Sequence, residues 1–341
     1  MRQAIMTSPG QIEFNEVQKP EIGPHDVLIE VNRIGVCGSD LHVYHGKHPY
    51  TSYPVIQGHE VGGRIAAVGA QVRSTNVGDI ATFMPQITCG RCYQCRHGME
   101  HLCENLKVMG FQAPGASQEY FSVPAAAIVT LPKGATPEQA AFIEPVAVAV
   151  HAMRRAGAPN NKHILVLGGG TIGNLTAQVA KALGATKVII TDLSNYKLQL
   201  ARECGIDVAA SPTDTDLEQT IATTFGPDRA DTIFECVGAE ATIGQAIDLA
   251  RKGSTVIVVG VFGSSPRVDF GLIQDHELNV LGTLMYQRQD FELAVELVTS
   301  GRVKTVPLVT NHFDFGNYLA AYQTTEANPD RSMKVMINVN P

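Results

Sequence analysis

A short apolar strand that runs directly into a glycine-rich turn, and then into an amphipathic helix, leaves few folds open. Here His163-Ile164-Leu165-Val166-Leu167 meets Gly168-Gly169-Gly170-Thr171-Ile172-Gly173. Ile172, Leu175, Val179 and Leu183 follow at i, i+3, i+7 and i+11, which predicts one apolar helix face. Gly168 suits a tight turn, Gly170 lets a pyrophosphate approach the backbone, and Gly173 allows close helix–strand packing. Backbone N–H groups of the first helical turn, Thr171 and Ile172, then face the phosphates along the helix dipole. The next strand ends at Asp192, 19 residues beyond Gly173. A carboxylate there accepts hydrogen bonds from ribose hydroxyls and repels a 2′-phosphate. Leu193 and Ser194 follow it rather than an arginine, so NAD is expected over NADP. Lys197 is a candidate further ribose contact.

This unit is embedded in a longer chain. At roughly 150 residues per domain, 341 residues predict about two domains. Before residue 150, strand-like stretches at 27–31, 62–68 and 80–83 alternate with turn residues at Gly35, Gly38, Pro54, Gly58, Gly69 and Gly78. Beyond 150 the pattern changes. Stretches 163–167, 187–191, 232–236 and 254–259 are nearly continuous in apolar character, as in a parallel sheet covered on both faces. Residues 290–299 read as a helix and 334–339 as a closing strand. The ends of the later strands, Val237-Gly238 and Val259-Gly260-Val261, are expected to line the cofactor crevice. The expected organisation is a β-rich domain over 1–150, an inserted α/β domain over 151–288, and a return to the first domain over 289–341.

Four of the seven cysteines crowd together as Cys89-x2-Cys92-x2-Cys95-x7-Cys103, with Gly90 and Gly98 letting the loop curl. Four thiolates at this spacing predict a closed tetrahedral zinc site that serves structure. A bacterial ferredoxin run ends with a three-residue gap and a proline after the last cysteine. Here the gap is seven and Glu104 follows, so zinc is expected rather than an iron–sulfur cluster.

A second ligand set stands apart: Cys37, the pair His59-Glu60, and Glu144 in an otherwise apolar stretch. A catalytic zinc needs about three protein ligands and one open position. Cys37 and His59 plus one carboxylate meet that need. The spacing leaves open whether Glu60 or Glu144 is the third ligand, or whether they exchange. Asp40 is placed to orient the imidazole of His59 from behind. Cys204 and Cys236 read as small core residues.

The ordered motifs Cys37-Gly38-Ser39-Asp40-Leu41-His42, Gly58-His59-Glu60, Cys89/92/95/103, Glu144-Pro145 and Gly168 to Gly173 resemble the zinc-containing medium-chain alcohol dehydrogenases. Within them, they are similar to the branch of polyol, sugar-acid, threonine and butanediol dehydrogenases. The resemblance implies a GroES-like β-rich catalytic domain with an inserted Rossmann parallel-sheet domain. It implies an assembly of two or four copies built by extending the Rossmann sheet edge. It further implies one catalytic and one structural Zn2+, and hydride transfer between a secondary alcohol and NAD. On that pattern zinc polarises the alcohol, Ser39 takes its proton and His42 passes it towards solvent. Glu144 belongs to the same catalytic group. Tyr44, Phe111 and Tyr286 are the expected substrate contacts, with His45, His48 and Gln112 nearby in sequence. Sorbitol-type members carry an Arg–Tyr pair where this chain reads Met285-Tyr286, so a sorbitol-like contact is missing.

The remaining composition narrows partners. The chain is 44% hydrophobic with a net charge of −7, and it has no basic block. That gives no electrostatic footprint for nucleic acid or an anionic membrane. No apolar run approaches the ~18 residues of a membrane span, and the N-terminus has no signal-peptide stretch. A small-molecule substrate in the cytoplasm is expected. Threonine or 2,3-butanediol oxidation, a catalytically silent NAD-binding protein, and a zinc-free quinone-reductase-like enzyme are the alternatives. Retention of every metal ligand and relay residue disfavours the last two.

Overall fold

The computed structural model describes residues 1–340. Two compact units emerge. One combines residues 1–144, 287–299 and 309–341; the other combines 145–286 and 300–308. The expected boundary at 150 falls inside the helix Pro137–Ala156, because Pro145 is accommodated within that helix instead of ending it. The expected boundary at 288 lies close to the observed passage between Tyr286 and Gln287, and a nine-residue stretch, 300–308, rejoins the α/β unit.

The first unit is built on a seven-stranded sheet. Its path runs from Val309–Asp314 through Lys334–Asn338, Asp26–Val36, Glu60–Val68 and Ile80–Phe83 to Ile128–Thr130, while Tyr120–Pro124 also pairs with Asp26–Val36. The strand Asp26–Val36 runs further than the expected 27–31 and pairs on both edges. Polar Asn32 and Arg33 interrupt its apolar pattern, and the register with Glu60–Val68 shifts between Val31 and Arg33 before pairing resumes. Inward-facing Val27, Ile29, Val31, Ile34, Val61 and Ile65 are almost fully buried and form the centre of this core. The C-terminal strand Lys334–Asn338 brings a distant part of the chain against residues 33–36. Gly35 stands opposite Glu60 in register. A Cβ at Gly35 would lie 2.2 Å from Glu60 Oε2, so only glycine leaves room for that carboxylate to lie over the sheet.

The second unit is a six-stranded parallel sheet. Its order is Val208–Ala210, Lys187–Thr191, His163–Leu167, Thr232–Glu235, Thr255–Val258 and Asn279–Gly282. The chain order reverses between His163–Leu167 and Thr232–Glu235, the switch point where such sheets bind ligands beyond the carboxyl ends of their strands. His163–Leu167 and Lys187–Thr191 match their expected limits, and Thr232–Glu235 and Thr255–Val258 fall within theirs. The helix Thr171–Ala182 departs from the single apolar face expected of it. Asn174, Thr176 and Gln178 are buried along with Leu175 and Val179. Polar positions are tolerated there because Gln178 bonds to Asn174 and to the Lys304 backbone, and Thr176 bonds to the Ile172 carbonyl.

Candidate functional site

The short helix Gly38–Tyr44 places the first cluster. Cys37 caps its N-terminus, and the Asp40 carboxylate accepts the Cys37 backbone N–H at 2.9 Å, closing the first turn on itself. Ser39 follows at once and donates its hydroxyl to Cys37 Sγ at 3.1 Å. His59 and Glu60 arrive at the start of the strand Glu60–Val68. Ligand atoms of Cys37, His59 and Glu60 all lie within 4.8 Å of one another. One thiolate, one imidazole and one carboxylate at such separations fit a zinc ion with a position left open. Glu144 is buried but does not belong to this trio.

The surroundings of the trio are charged and closed. Asp40 Oδ1 lies 3.5 Å from His59 Nδ1, an ionic contact, and accepts a hydrogen bond from Gln57 Nε2 at 3.1 Å. Burial works against a charged His59, but the Asp40 carboxylate and the Cys37 sulfur outweigh it and raise its pKa well above the usual imidazole range. Metal binding must displace that proton, so affinity increases with pH. Glu60 is held on its other side by Lys334, whose Nζ lies 2.7 Å from Oε1 and 2.5 Å from Oε2 and also donates to the Val36 carbonyl. Both partners are almost fully buried, at 3% and 1% side-chain exposure. Phe111 walls the site, its ring 4.9 Å from those of both His59 and His48. Burial and the His42 charge lower the pKa of His48, which favours the neutral ring in this stack.

The four-cysteine lobe is a second, separate cluster. Cys92 Sγ lies 3.4 Å from Cys95 Sγ and 3.9 Å from Cys103 Sγ, and Cys89 Sγ lies 4.0 Å from Cys95 Sγ. A zinc tetrahedron with bonds of about 2.3 Å has edges of about 3.8 Å, so the lobe fits the ion without rearrangement. All four cysteines are free thiols. Backbone N–H groups of Arg91 and Cys92 lower the Cys89 pKa to about 6, while burial and the neighbouring thiols push Cys95 up to about 12. Gly90 and Gly98, both at positive φ, turn the loop as expected.

In the α/β unit, Gly168 has φ +101°, and a Cβ on Gly173 would lie 1.8 Å from the Gly168 carbonyl oxygen. A Cβ on Gly170 would meet nothing within 4 Å, so that backbone is open to a ligand. Asp192 Oδ2 accepts the Gly169 N–H and Oδ1 the Ser194 N–H, both at 2.8 Å. The carboxylate is thus fixed beside the glycine turn. Glu235, which sequence reasoning passed over, is fully buried at the end of its strand. Its Oε1 accepts Val237 N–H, Gly238 N–H and Thr242 Oγ1–H at 2.7 to 2.9 Å. Its carbonyl accepts Val259 N–H and Gly260 N–H. One residue therefore ties together the two turns, Val237-Gly238 and Val259 to Val261.

Comparison with known proteins was made against this geometry. Residues 23–133 match the alcohol dehydrogenase GroES-like domain, and residues 171–300 match the zinc-binding dehydrogenase domain. The 2-dehydro-3-deoxy-L-galactonate 5-dehydrogenase of Pseudoalteromonas atlantica is 33% identical over 334 residues, covering 97% of both chains. The sorbitol dehydrogenase of Halalkalibacterium halodurans is 35% identical over 344 residues, covering 99% of both. The chain belongs to the zinc-containing medium-chain alcohol dehydrogenase family.

A zinc-binding dehydrogenase from Sinorhizobium meliloti, solved with NADP, superposes with a TM-score of 0.91 at 32% identity and 99% coverage of both chains. Membership in this dehydrogenase family makes the chain an oxidoreductase acting on a CH–OH group. Other expected site residues fall as follows. His42 is exposed and Ser39 half-buried, so solvent reaches the first directly. Val237 and Val261 are exposed at the strand ends. Thr171, Ile172 and Lys197 are half-buried. Two expected substrate contacts are packed against neighbouring side chains or buried in this structure. Tyr44 lies edge-on to Tyr322 at 5.7 Å and packs on the first unit's core, and Tyr286 is fully buried.

Proposed function

We propose that this dehydrogenase interconverts a secondary alcohol of the polyol or sugar-acid class and its ketone, with NAD as hydride carrier. The observation that carries the reading is the convergence of Cys37, His59 and Glu60, with the Ser39 hydroxyl on the thiolate, in a chain that also bears an acid-terminated dinucleotide fingerprint. Zinc, when bound, would supply Lewis-acid polarisation of the substrate oxygen, and bound NAD would supply the hydride-accepting nicotinamide. The chain's own residues do the rest. Ser39 takes the alcohol proton and exposed His42 releases it to solvent. Phe111 gives the substrate carbon skeleton an apolar wall beside His59. Gly168, Gly170, Thr171, Ile172 and Gly173 receive the pyrophosphate, Asp192 and Lys197 the adenosine ribose, and Val237, Gly238, Val259 and Val261 the nicotinamide half. The four-cysteine lobe holds a second, structural zinc.

An initial-rate screen with NAD+ over polyols, aldonates, threonine and 2,3-butanediol tests this reading. Turnover on a polyol or aldonate, abolished by a chelator that reaches the Cys37 site, is the expected result. Turnover confined to threonine or butanediol would move the substrate class, and no turnover on any of them would sink the reading. Asp192→Asn checks the choice of NAD. It retains an acceptor for Gly169 but loses the charge that repels a 2′-phosphate. A charge-assisted hydrogen bond is worth ~1.5–3 kcal/mol, so the NADP-to-NAD ratio of kcat/KM should rise by roughly 10- to 100-fold. An unchanged ratio would remove Asp192 from cofactor selection.

We also infer a homodimer or homotetramer in the cytoplasm. The sheet ends in the strand Asn279–Gly282, with Val280 and nearby Leu284 exposed, and an unpaired apolar edge favours pairing with a second copy. No helix among the described residues is long and apolar enough to cross a membrane.

A further inference from the structure

Behind the Cys37–His59–Glu60 trio runs a buried polar chain that the proposed chemistry does not use. It begins on the C-terminal helix Tyr318–Ala327. The Tyr322 hydroxyl donates to Gln57 Oε1 at 3.0 Å, and Gln57 Nε2 donates to Asp40 Oδ1 at 3.1 Å. Asp40 in turn accepts the Cys37 backbone N–H on Oδ2 and faces His59 Nδ1. Tyr322, Gln57 and Asp40 are each at most 3% exposed. A parallel link joins Tyr318 to Ser117 through their hydroxyls at 2.5 Å. Ser117 donates its backbone N–H to the Gln57 carbonyl, and a Cβ on Gly58 would sit only 3.0 Å from Ser117 Oγ. Two tyrosines of one helix thus brace Gln57, Tyr322 directly and Tyr318 through Ser117, two residues before His59.

The chain has a direction. Burial and the neighbouring Tyr318 hold the Tyr322 pKa well above the usual phenol range, so its hydroxyl remains a donor. An ionised Asp40 is an acceptor only. Gln57 between them has one orientation that satisfies both, its oxygen towards Tyr322 and its amide hydrogens towards Asp40. The alternative orientation would set amide hydrogens against a donor and an oxygen against a carboxylate. A buried amide pinned at both ends fixes the carboxylate it touches, and that carboxylate touches both the Cys37 backbone and the His59 ring.

We propose that Gln57 and Tyr322 are positioning residues for the metal: they orient Asp40, and through it the Cys37 and His59 ligands, so that the C-terminal helix braces the catalytic-metal site. The inference rests on the zinc-dehydrogenase reading above. Outer partners of metal ligands set affinity by about 10- to 100-fold, and Gln57 acts one hydrogen bond further out and Tyr322 two, so the lower end applies.

The test uses the zinc-loaded enzyme and its cobalt-substituted form, with Tyr322→Phe and Gln57→Leu. Tyr322→Phe deletes one hydroxyl and keeps the ring packing, so it guards against a variant that fails to fold. Release of metal to a chelator is followed in both variants, with the four-cysteine metal as internal reference. Release from the Cys37 site should be about 10-fold faster, release from the four-cysteine lobe unchanged, and the cobalt ligand-field bands shifted. Gln57→Glu, which sets one carboxylate against another, should accelerate release further. Two metals per chain with release rates and cobalt spectra equal to wild type in Tyr322→Phe and Gln57→Leu would overturn this inference and leave the dehydrogenase reading standing. Equal acceleration at both metals would also overturn it, because it would mark general destabilisation. A wild-type enzyme with no metal at Cys37 would overturn both.

Discussion

Lys334→Met is expected to destabilise the protein by about 3–5 kcal/mol, the cost of leaving one charge of a buried ion pair uncompensated. The Lys334 ammonium is enclosed and makes hydrogen bonds inside the first unit, two to Glu60 and one to the Val36 carbonyl. Methionine of similar length removes those contacts and leaves the Glu60 carboxylate buried beneath it. Glu60 cannot swing away, because the sheet neighbour opposite is Gly35 and the carboxylate lies over it. Denaturant unfolding of the metal-free protein measures the loss directly. The double variant Lys334→Met/Glu60→Gln should recover most of it, since both charges are then gone. A loss under about 1 kcal/mol in the single variant, the range of an exposed pair, would show that the pair is solvated.

The same pair carries a pH signature. Burial disfavours the ammonium, but the Glu60 charge outweighs it and the Lys334 pKa is raised. A lysine raised in the folded state contributes stability that is fully present below its unfolded pKa, about 10.4. That contribution is lost as pH climbs through the folded value. Alkaline unfolding of wild type should therefore include a component that Lys334→Met/Glu60→Gln lacks, and below about pH 10 the stability difference between the two should not change with pH on account of the pair.

What was legible in the sequence was what is local. The fingerprint from His163 to Asp192 is contiguous, and strand, turn and acid sit where the pattern puts them. The four cysteines span one loop, and their sulfurs meet. Cys37, His59 and Glu60 were legible as residue types, and the sheet that joins residues 26–36 to 60–68 brings them together. Lys334 was not legible. It opens an apolar strand, where a lysine ordinarily marks a solvated end, and its partner is 274 residues away. Gln57 and Tyr322 are 265 residues apart and fit no motif. Glu235 sat unnoticed in the apolar run Thr232 to Cys236, because nothing local signals that its carboxylate would bind the backbone of its own following turn. Motif position points to Tyr44 and Tyr286 but not to their surroundings: the first is half-buried beside Tyr322 and the second fully buried.

Cys37→Ala should lower NAD-linked oxidation by about 1,000-fold while leaving the fold and the four-cysteine metal in place. Lewis-acid polarisation is worth several kcal/mol of barrier, and ~4 kcal/mol corresponds to about three decades in rate. Losing the one thiolate of the trio leaves His59 and Glu60, and Glu60 is already engaged by Lys334. Two ligands, one of them shared with an ammonium, do not make a zinc site. Metal content should fall from two ions to one. The fold should survive, because Asp40 still accepts the backbone N–H of residue 37 and the helix Gly38–Tyr44 keeps that tie. Ser39 loses the sulfur it donates to, so its hydroxyl becomes free to rotate. Kinetics and metal analysis on one preparation separate the outcomes. Lost turnover with one ion retained assigns the chemistry to the Cys37 site. Retained turnover with one ion would move the chemistry elsewhere, and loss of both ions would mean that the two metal clusters do not fold independently.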